Sequence, residues 1–264
     1  MKQQTKPLLL SSLLLISLNG WSGSLWAQRS VEFAEDTFGY TLRNDAQCAY
    51  QWLDISATGQ SITLQASGAE PADDDGGAVI NLTEPFEFYA TPYQQVVVSS
   101  NGYIAFADSL QEENGADYSN DCPLPAVPDN GAARLGRIAV FHDDLQAGSG
   151  GQIRHAYQAS CQRPGPVAGE SCTIIQWQNW DYHNNTGSNI AFELLLYHHS
   201  REIVAQYDNS GALATLSVTM GMQNPALSNA SMFQCNQAMA LPSEGRWCMA
   251  SPQDPESLLS TGFE

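Results

Sequence analysis

The chain has 264 residues, of which 10 are basic and 28 acidic, for a formal charge of −18, with 43% hydrophobic and 9% aromatic residues. Charged residues make up only 14% of it, so the soluble surface is built largely from Asn, Gln, Ser, Thr and Gly, which argues against coiled coils and long charged helices. So acidic a balance also excludes nucleic acid as a partner, because a phosphate backbone is bound by clustered Lys and Arg that release its counterions.

The first element is a leader. Lys2 and Lys6 precede an apolar run over 8–18, and small and aromatic residues follow to Ala27. This is the pattern of a secretory signal peptide over 1–27. The run is too short to cross a membrane, and no transmembrane span is expected elsewhere. Removing the leader takes away both lysines and leaves 8 arginines against 28 acids, a net charge of −20. The mature chain is expected to be secreted, extracellular or periplasmic.

A lead-in over 28–37 precedes a single expected domain over 38–250, and a flexible tail over 251–264 ends in Gly262, Phe263 and Glu264. The polar stretches 68–77 and 111–120 are no longer than loops inside a large sandwich and separate segments of the same character. Those segments alternate with period two or form short β-branched and aromatic runs, which predicts strands. In chain order they cover 50–55, 61–64, 78–82, 86–89, 95–100, 103–107, 138–142, 153–158, 173–180, 190–198, 202–207 and 217–222. Twelve short strands and no helix predict an all-β, antiparallel β-sandwich with disulfide-stapled loops.

Two hairpins stand out. Asn101 and Gly102 both tolerate positive φ between two such runs, and Ser200 with Arg201 marks a second reversal. In the strand over 190–198, Ile190, Phe192, Leu194 and Leu196 share a core face, while Glu193 falls on the opposite face and reads as solvated. The run from Trp177 to Trp180 lacks clean alternation, which leaves room for one exposed Trp able to stack on a sugar ring, although burial is the commoner fate of Trp.

All six cysteines, Cys48, Cys122, Cys161, Cys172, Cys235 and Cys248, fall after the leader. An even number in an exported chain predicts three disulfides. The simplest pairing is local, Cys161 with Cys172 and Cys235 with Cys248, which leaves Cys48 with Cys122. No CxxC or CxxH spacing supports a zinc site.

Several segments, in order, resemble the nidogen-like extracellular β module, including the form found in secreted bacterial proteins. Tyr50-Gln51-Trp52-Leu53-Asp54-Ile55 followed by Thr58-Gly59 is similar to the family's opening strand and turn. Phe86 to Tyr89, Tyr93 and then Ser99-Ser100-Asn101-Gly102-Tyr103-Ile104-Ala105-Phe106 carry its most specific element. Ile138 to Leu145 matches a segment in which the family usually has Trp where this chain has His142. Ile175 to Trp177, Phe192 to Tyr197, Ile203 to Tyr207 and Met220 to Gln223 resemble the closing hairpin and final strand. The resemblance implies a secreted or surface-exposed interaction and adhesion module, with no catalytic residues to carry over and an extracellular protein or polysaccharide as partner.

The residues themselves give little sign of turnover. The run Gly148-Ser149-Gly150-Gly151 lacks the spacing of a nucleophile elbow and reads as a flexible turn. His142, His155, His183, His198 and His199 are not brought together by any local pattern. With 28 acids, a carboxylate pair for glycan hydrolysis carries no information by itself, so a glycan-directed hydrolase is the alternative rather than the first reading. No cofactor is expected. Calcium is the one ligand the pattern allows, because it takes hard oxygen donors on Gly-rich loops. Asp73, Asp74 and Asp75 before Gly76-Gly77 form one cluster, and Asp143 with Asp144 at a strand end forms another; neither has EF-hand spacing.

Overall fold

The computed structural model describes residues 35–43, 48, 50–127, 135–163, 168–183, 185–208, 217–238 and 245–251, all within the compact unit Glu32–Glu264. The predicted leader, most of the lead-in and all of the tail beyond Ser251 lie outside the described residues.

Among the described residues there are fourteen strands and no helix. The first seven are β1 (Thr41–Arg43), β2 (Gln60–Ser61), β3 (Gln65–Ala66), β4 (Gly76–Phe88), β5 (Thr91–Ser99), β6 (Tyr103–Ala105) and β7 (Arg137–His142). The rest are β8 (Leu145–Cys161), β9 (Glu170–Tyr182), β10 (Asn185–Tyr197), β11 (Ile203–Asp208), β12 (Ser217–Gln223), β13 (Ala230–Ala238) and β14 (Arg246–Ala250). They form two seven-stranded sheets, A in the order β1-β14-β11-β10-β9-β8-β2 and B in the order β13-β12-β7-β6-β5-β4-β3. Every pairing is antiparallel. The fold is a β-sandwich, and both predicted hairpins are present, as β5–β6 and β10–β11.

The main core lies between the sheets. Ile175, Phe192, Leu194 and Ala205 come from A, and Val98, Ile104, Ile138 and Met222 from B. Each large side chain so buried contributes about 1.5–3 kcal/mol. The period-two alternation sends the intervening residues outward, yet these are buried too. Ile174, Leu195, Tyr197 and Val204 on the far face of A pack with Cys48, Tyr50 and Ile55 in a second cluster. On the far face of B, Tyr103 and Ala105 are fully buried, and the segment over 107–127 lies on that face. There the Tyr103 hydroxyl donates to Glu113 at 2.9 Å, and the Gln223 amide exchanges hydrogen bonds of 2.8 and 2.9 Å with the backbone of Ala126. A sheet apolar on both faces needs a cover on each, and this chain supplies both covers from its own loops.

The disulfides pin those covers. Cys48–Cys248 ties the first to β14, and Cys122–Cys235 ties the second to β13, closing sequence separations of 200 and 113 residues. Only Cys161–Cys172 pairs locally as expected. The expected bridges Cys235–Cys248 and Cys48–Cys122 are not formed, because β13 and β14, though consecutive, belong to opposite sheets. The predicted strand over 50–55 is likewise not a strand: it is the cover of sheet A, bonded to side chains rather than to a neighbouring backbone.

The two sheets are joined by polar bonds at one turn. Ser99 and Ser100 turn their carbonyls inward and accept from the indoles of Trp177 at 2.9 Å and Trp180 at 2.7 Å. Both Trp side chains are buried, so neither is the exposed sugar platform that the broken alternation allowed. Asn179, at φ +54°, inserts an extra residue in β9, so that Trp177 and Trp180 stand opposite Phe192 and Ile190 and face the same way. The run Gly148–Gly151 is not a turn. It continues β8 as a bulge facing Asn179, and a Cβ on Gly148 would stand 2.7 Å from the Asn179 carbonyl oxygen.

Gly102 closes the turn at φ +74°, and its carbonyl accepts from the N–H groups of Val140 and Phe141. A Cβ there would meet the Phe141 oxygen at 2.0 Å. Gly102→Ala is expected to lose well over the about 1–2 kcal/mol that a left-handed φ alone costs, which a denaturant midpoint would read. Replacing Cys122 and Cys235 together by Ser is expected to lower the unfolding free energy by about 2–5 kcal/mol. Amide exchange should then rise first over 107–127, and uniform protection there would count against the pinning role.

Candidate functional site

The two acidic runs that are 68 residues apart in sequence, from Asp75 to Asp143, meet in space. Asp73, Asp74 and Asp75 precede β4, whereas Asp143 and Asp144 form the short connection from β7 to β8. The Ser99–Gly102 turn brings them together. Ser100 Oγ donates to the Asp74 carbonyl, Asn101 Nδ2 donates to Asp75 Oδ1 at 3.1 Å, and Asn101 Oδ1 accepts from the N–H of Leu145 at 2.8 Å. His183, just past β9, is docked there by its own N–H, which donates to the Asp144 carbonyl at 2.9 Å. Its Nδ1 lies 3.1 Å from Asp74 Oδ1 and 4.0 Å from Asp144 Oδ1.

One donor atom each from Asp74, Asp144 and His183 falls within 4.8 Å of the others. Burial raises the carboxyls of Asp75 and Asp144 above the ordinary range, and the charge of Asp74 adds to the effect. The hydrogen bond to Asp74 raises the His183 imidazole. Two carboxylates and an imidazole form a mixed donor set of the kind that suits zinc or manganese, whereas calcium takes six to eight oxygens. Of the five aspartates singled out in the sequence, only Asp74 and Asp144 belong to this set. Asp73 contributes its carbonyl to Ala147 at 2.8 Å. Asp143 turns inward beside Tyr182, and burial pushes its carboxyl up to about 6.

Most other buried charges hold the covers. Under the cover of sheet B, the Arg137 guanidinium forks onto Glu113 and Asp117 and stacks 4.5 Å from the Tyr103 ring centre. His142 joins them through Nε2, 3.0 Å from the Asp117 carbonyl, and burial pushes its imidazole down. Beside the Cys48–Cys248 bridge, Glu202 bonds Tyr50 and, at 3.0 Å, Arg163. His155, His198 and His199 do not join the Asp74 group.

A family model described as NIDO related matches residues 39–254, most of the chain. The chain belongs to the NIDO-related family. This supports the nidogen-like resemblance of its sequence and makes it an extracellular type of module, with which its three disulfides agree. No curated protein and no solved structure matches the chain.

One acid of this NIDO-related domain is placed otherwise than its sequence predicts. Glu193 is not solvated but fully buried. It stands between Gln176 of β9 and Gln206 of β11, directly opposite both. Their amides donate to its two oxygens, each at 2.9 Å, and the N–H of Leu53 adds a third bond of 2.9 Å. The same glutamines reach the cover's carbonyls, Gln206 to Gln51 at 2.9 Å and Gln176 to Leu53 at 3.2 Å. Three side chains across three strands thus replace the missing backbone partner of the cover. Gln176 and Gln206 escaped notice in the sequence, although Gln206 is the single amide of β11 and Gln176 follows the apolar pair Ile174-Ile175 in β9. His183 left no sequence signal beyond its place after an aromatic strand.

Burial pushes the Glu193 carboxyl up to about 8, from an ordinary value of 4.5. Between those values the folded chain keeps a proton that the unfolded chain has released, so stability falls as pH rises through that window. The slope for this one proton approaches about 1.4 kcal/mol per pH unit, and Asp143 adds the same sign up to about 6. Urea unfolding at stepped pH should show the fall, and Glu193→Gln should flatten it above pH 6; an unchanged slope would remove Glu193 as its source.

Proposed function

We propose that this NIDO-related domain is a non-catalytic interaction and adhesion module, secreted or displayed at a surface, which binds an extracellular protein or polysaccharide. The observation that carries the reading is the commitment of its buried acids. Glu113 and Asp117 grip Arg137, Glu202 grips Arg163, and Glu193 is held by Gln176, Gln206 and Leu53. Each therefore serves the attachment of a cover, and none of these carboxylates is left to act on a substrate. The excess of acid over base steers the module towards neutral or basic partners.

A hydrolase acting on glycans is the competing reading, and Asp143 is the residue that favours it, since a carboxyl raised to about 6 suits a general acid. Against it, Asp143 is 9% exposed and its Oδ1 already accepts from the N–H of Asp144 at 2.8 Å. Incubation with polysaccharides is expected to release no reducing ends. Product formed by the wild type and lost in Asp143→Asn would replace the binding module by the enzyme.

A divalent cation, zinc or manganese by the donor set rather than calcium, would lock the ends of β4, β8 and β9 together through Asp74, Asp144 and His183, as a stiffener of the module rather than a reagent. At a cation concentration 100 times its Kd, the stabilisation is about 2.7 kcal/mol. A thermal shift titration with zinc and with manganese is expected to raise Tm in the wild type but not in Asp74→Asn. No shift with either ion, or an equal one in the variant, would remove the cation from the proposal.

A further inference from the structure

The two covers leave one flank of the sandwich open. Sheet A ends on β2 and sheet B on β3, each only two residues long, beside strands of 17 and 13 residues. Over most of their length β8 and β4 are therefore the outermost strands. Two recesses of about 310 Å³ each succeed one another along β8, the first between it and β4, the second between it and the segment over 61–73. Such volumes are at the lower end of those that hold small ligands.

We propose that this flank binds a neutral, extended oligosaccharide along β8 from Gly151 to Tyr157. The inference rests on the reading of the domain as an interaction module and names its ligand class. The first recess is lined by Gln60, Asn81, Thr83, His155, Tyr157 and Thr173, among others. These are hydroxyl, amide and imidazole groups, which donate and accept hydrogen bonds as a sugar's hydroxyls require. The lining has no carboxylate, guanidinium or ammonium. His155 stands opposite Gln60 in the β2–β8 pair, and burial pushes its imidazole down, so it is neutral near pH 7. The Tyr157 ring is half-buried, and its hydroxyl is fixed by a 2.5 Å bond to Glu84.

The second recess is more amphipathic. Ile62 and Leu64 line it along with Ser61 and Gln152, with the buried Ile153 and Trp180 behind them, a mixture that suits a pyranose, apolar on its faces and polar at its rim. From Gly151 to Tyr157 an extended strand covers about 20 Å, so the path suits an oligomer rather than a single sugar. Charge selects among oligomers. Asp73 lines the second recess and Glu84 borders the first, while Arg154, between them on β8, turns its guanidinium onto Gln152 and the Gly59 carbonyl, so an anionic polysaccharide meets like charge at both recesses.

An added peptide strand fits less well. Proline and bulges are the devices that blunt an edge. Pro85 lies within β4, whose register with β5 shifts between Asn81 and Phe86, and β8 shifts against β9 between Gln158 and Cys161.

Isothermal titration of the oxidised chain against three sets tests the proposal. They are neutral oligosaccharides of increasing length built from glucose, mannose, galactose or N-acetylglucosamine, uronate oligomers of matching lengths, and extended peptides. Saturable binding is expected for a neutral set only, strengthening with length up to the span of the flank. Thr83→Trp fills the first recess from an exposed position, and Asn81→Ala removes one polar contact. The first is expected to weaken binding at least tenfold and the second several-fold, both with Tm unchanged.

No binding by any neutral set, preference for uronates or peptides, or equal affinity in Thr83→Trp would overturn the flank as a glycan site. Saturable binding of the uronates or peptides alone, unaltered in Thr83→Trp, would do the same while leaving the interaction module standing. Cleavage of the oligosaccharides by the wild type would bring down the module reading itself, and with it the proposal.

Discussion

The turn Ser99-Ser100-Asn101-Gly102 is the constraint on which the other parts of this molecule depend. A sandwich packs by apolar contact, which is strong but does not fix how one sheet lies against the other. Here the carbonyls of Ser99 and Ser100 point into the interior, where an unpaired carbonyl is costly, and the indoles of Trp177 and Trp180 on the facing sheet donate to them. The bulge at Asn179 exists to let both indoles face inward from positions three apart. The turn also spaces the acidic loops. Through Ser100 and Asn101 it holds Asp74, Asp75 and Leu145, and so it sets the separation of the carboxylates that frame His183.

A second constraint follows from strands that are apolar on both sides. Two sheets then make four faces, of which the sandwich buries two, and loops must cover the others. A loop laid on a sheet brings backbone polar groups into a dry place, and the chain meets that demand with side chains. The Gln176–Glu193–Gln206 row serves the cover of sheet A, and Arg137 with Glu113 and Asp117 serves that of sheet B. Desolvating such ions costs several kcal/mol each, so these layers gain definition rather than much net stability. The long-range disulfides supply the retention that the polar layers do not.

What the sequence revealed and what it hid divide along the same line. Alternation and turn chemistry are local, and they placed the hairpins at Asn101-Gly102 and Ser200-Arg201, the inward row Ile190 to Leu196 and the sandwich itself. The pairing of Cys235 and Cys248 is decided by which sheet each strand joins, which no spacing encodes. Glu193 looked solvated because alternation tells which residues share a face, not whether that face is later covered. Asp74 and Asp144 could be singled out for their chemistry, but His183 became their neighbour only through the β7–β8 and β9–β10 connections. β13 and β14 gave no strand signal because they hold no β-branched residue and only one aromatic each, Phe233 and Trp247.

The distribution of charge joins the fold to the proposed role. Among the described arginines, Arg43 and Arg163 turn to Glu202, Arg137 to Glu113 and Asp117, and Arg201 to Glu87. Guanidinium suits this use because its fork meets two acceptors at fixed angles and tolerates burial better than an ammonium, and every basic side chain after the predicted leader is Arg. With four of the described arginines spent on ion pairs and Arg154 turned onto Gln152 and the Gly59 carbonyl, acids and neutral amides dominate the surface. Such a surface repels polyanions at a distance, and any short-range selectivity has to come from hydrogen bonding and shape at a neutral recess. The open flank between β4 and β8, lined by Asn81, Thr83, His155 and Tyr157, offers that combination where the sheets are least covered.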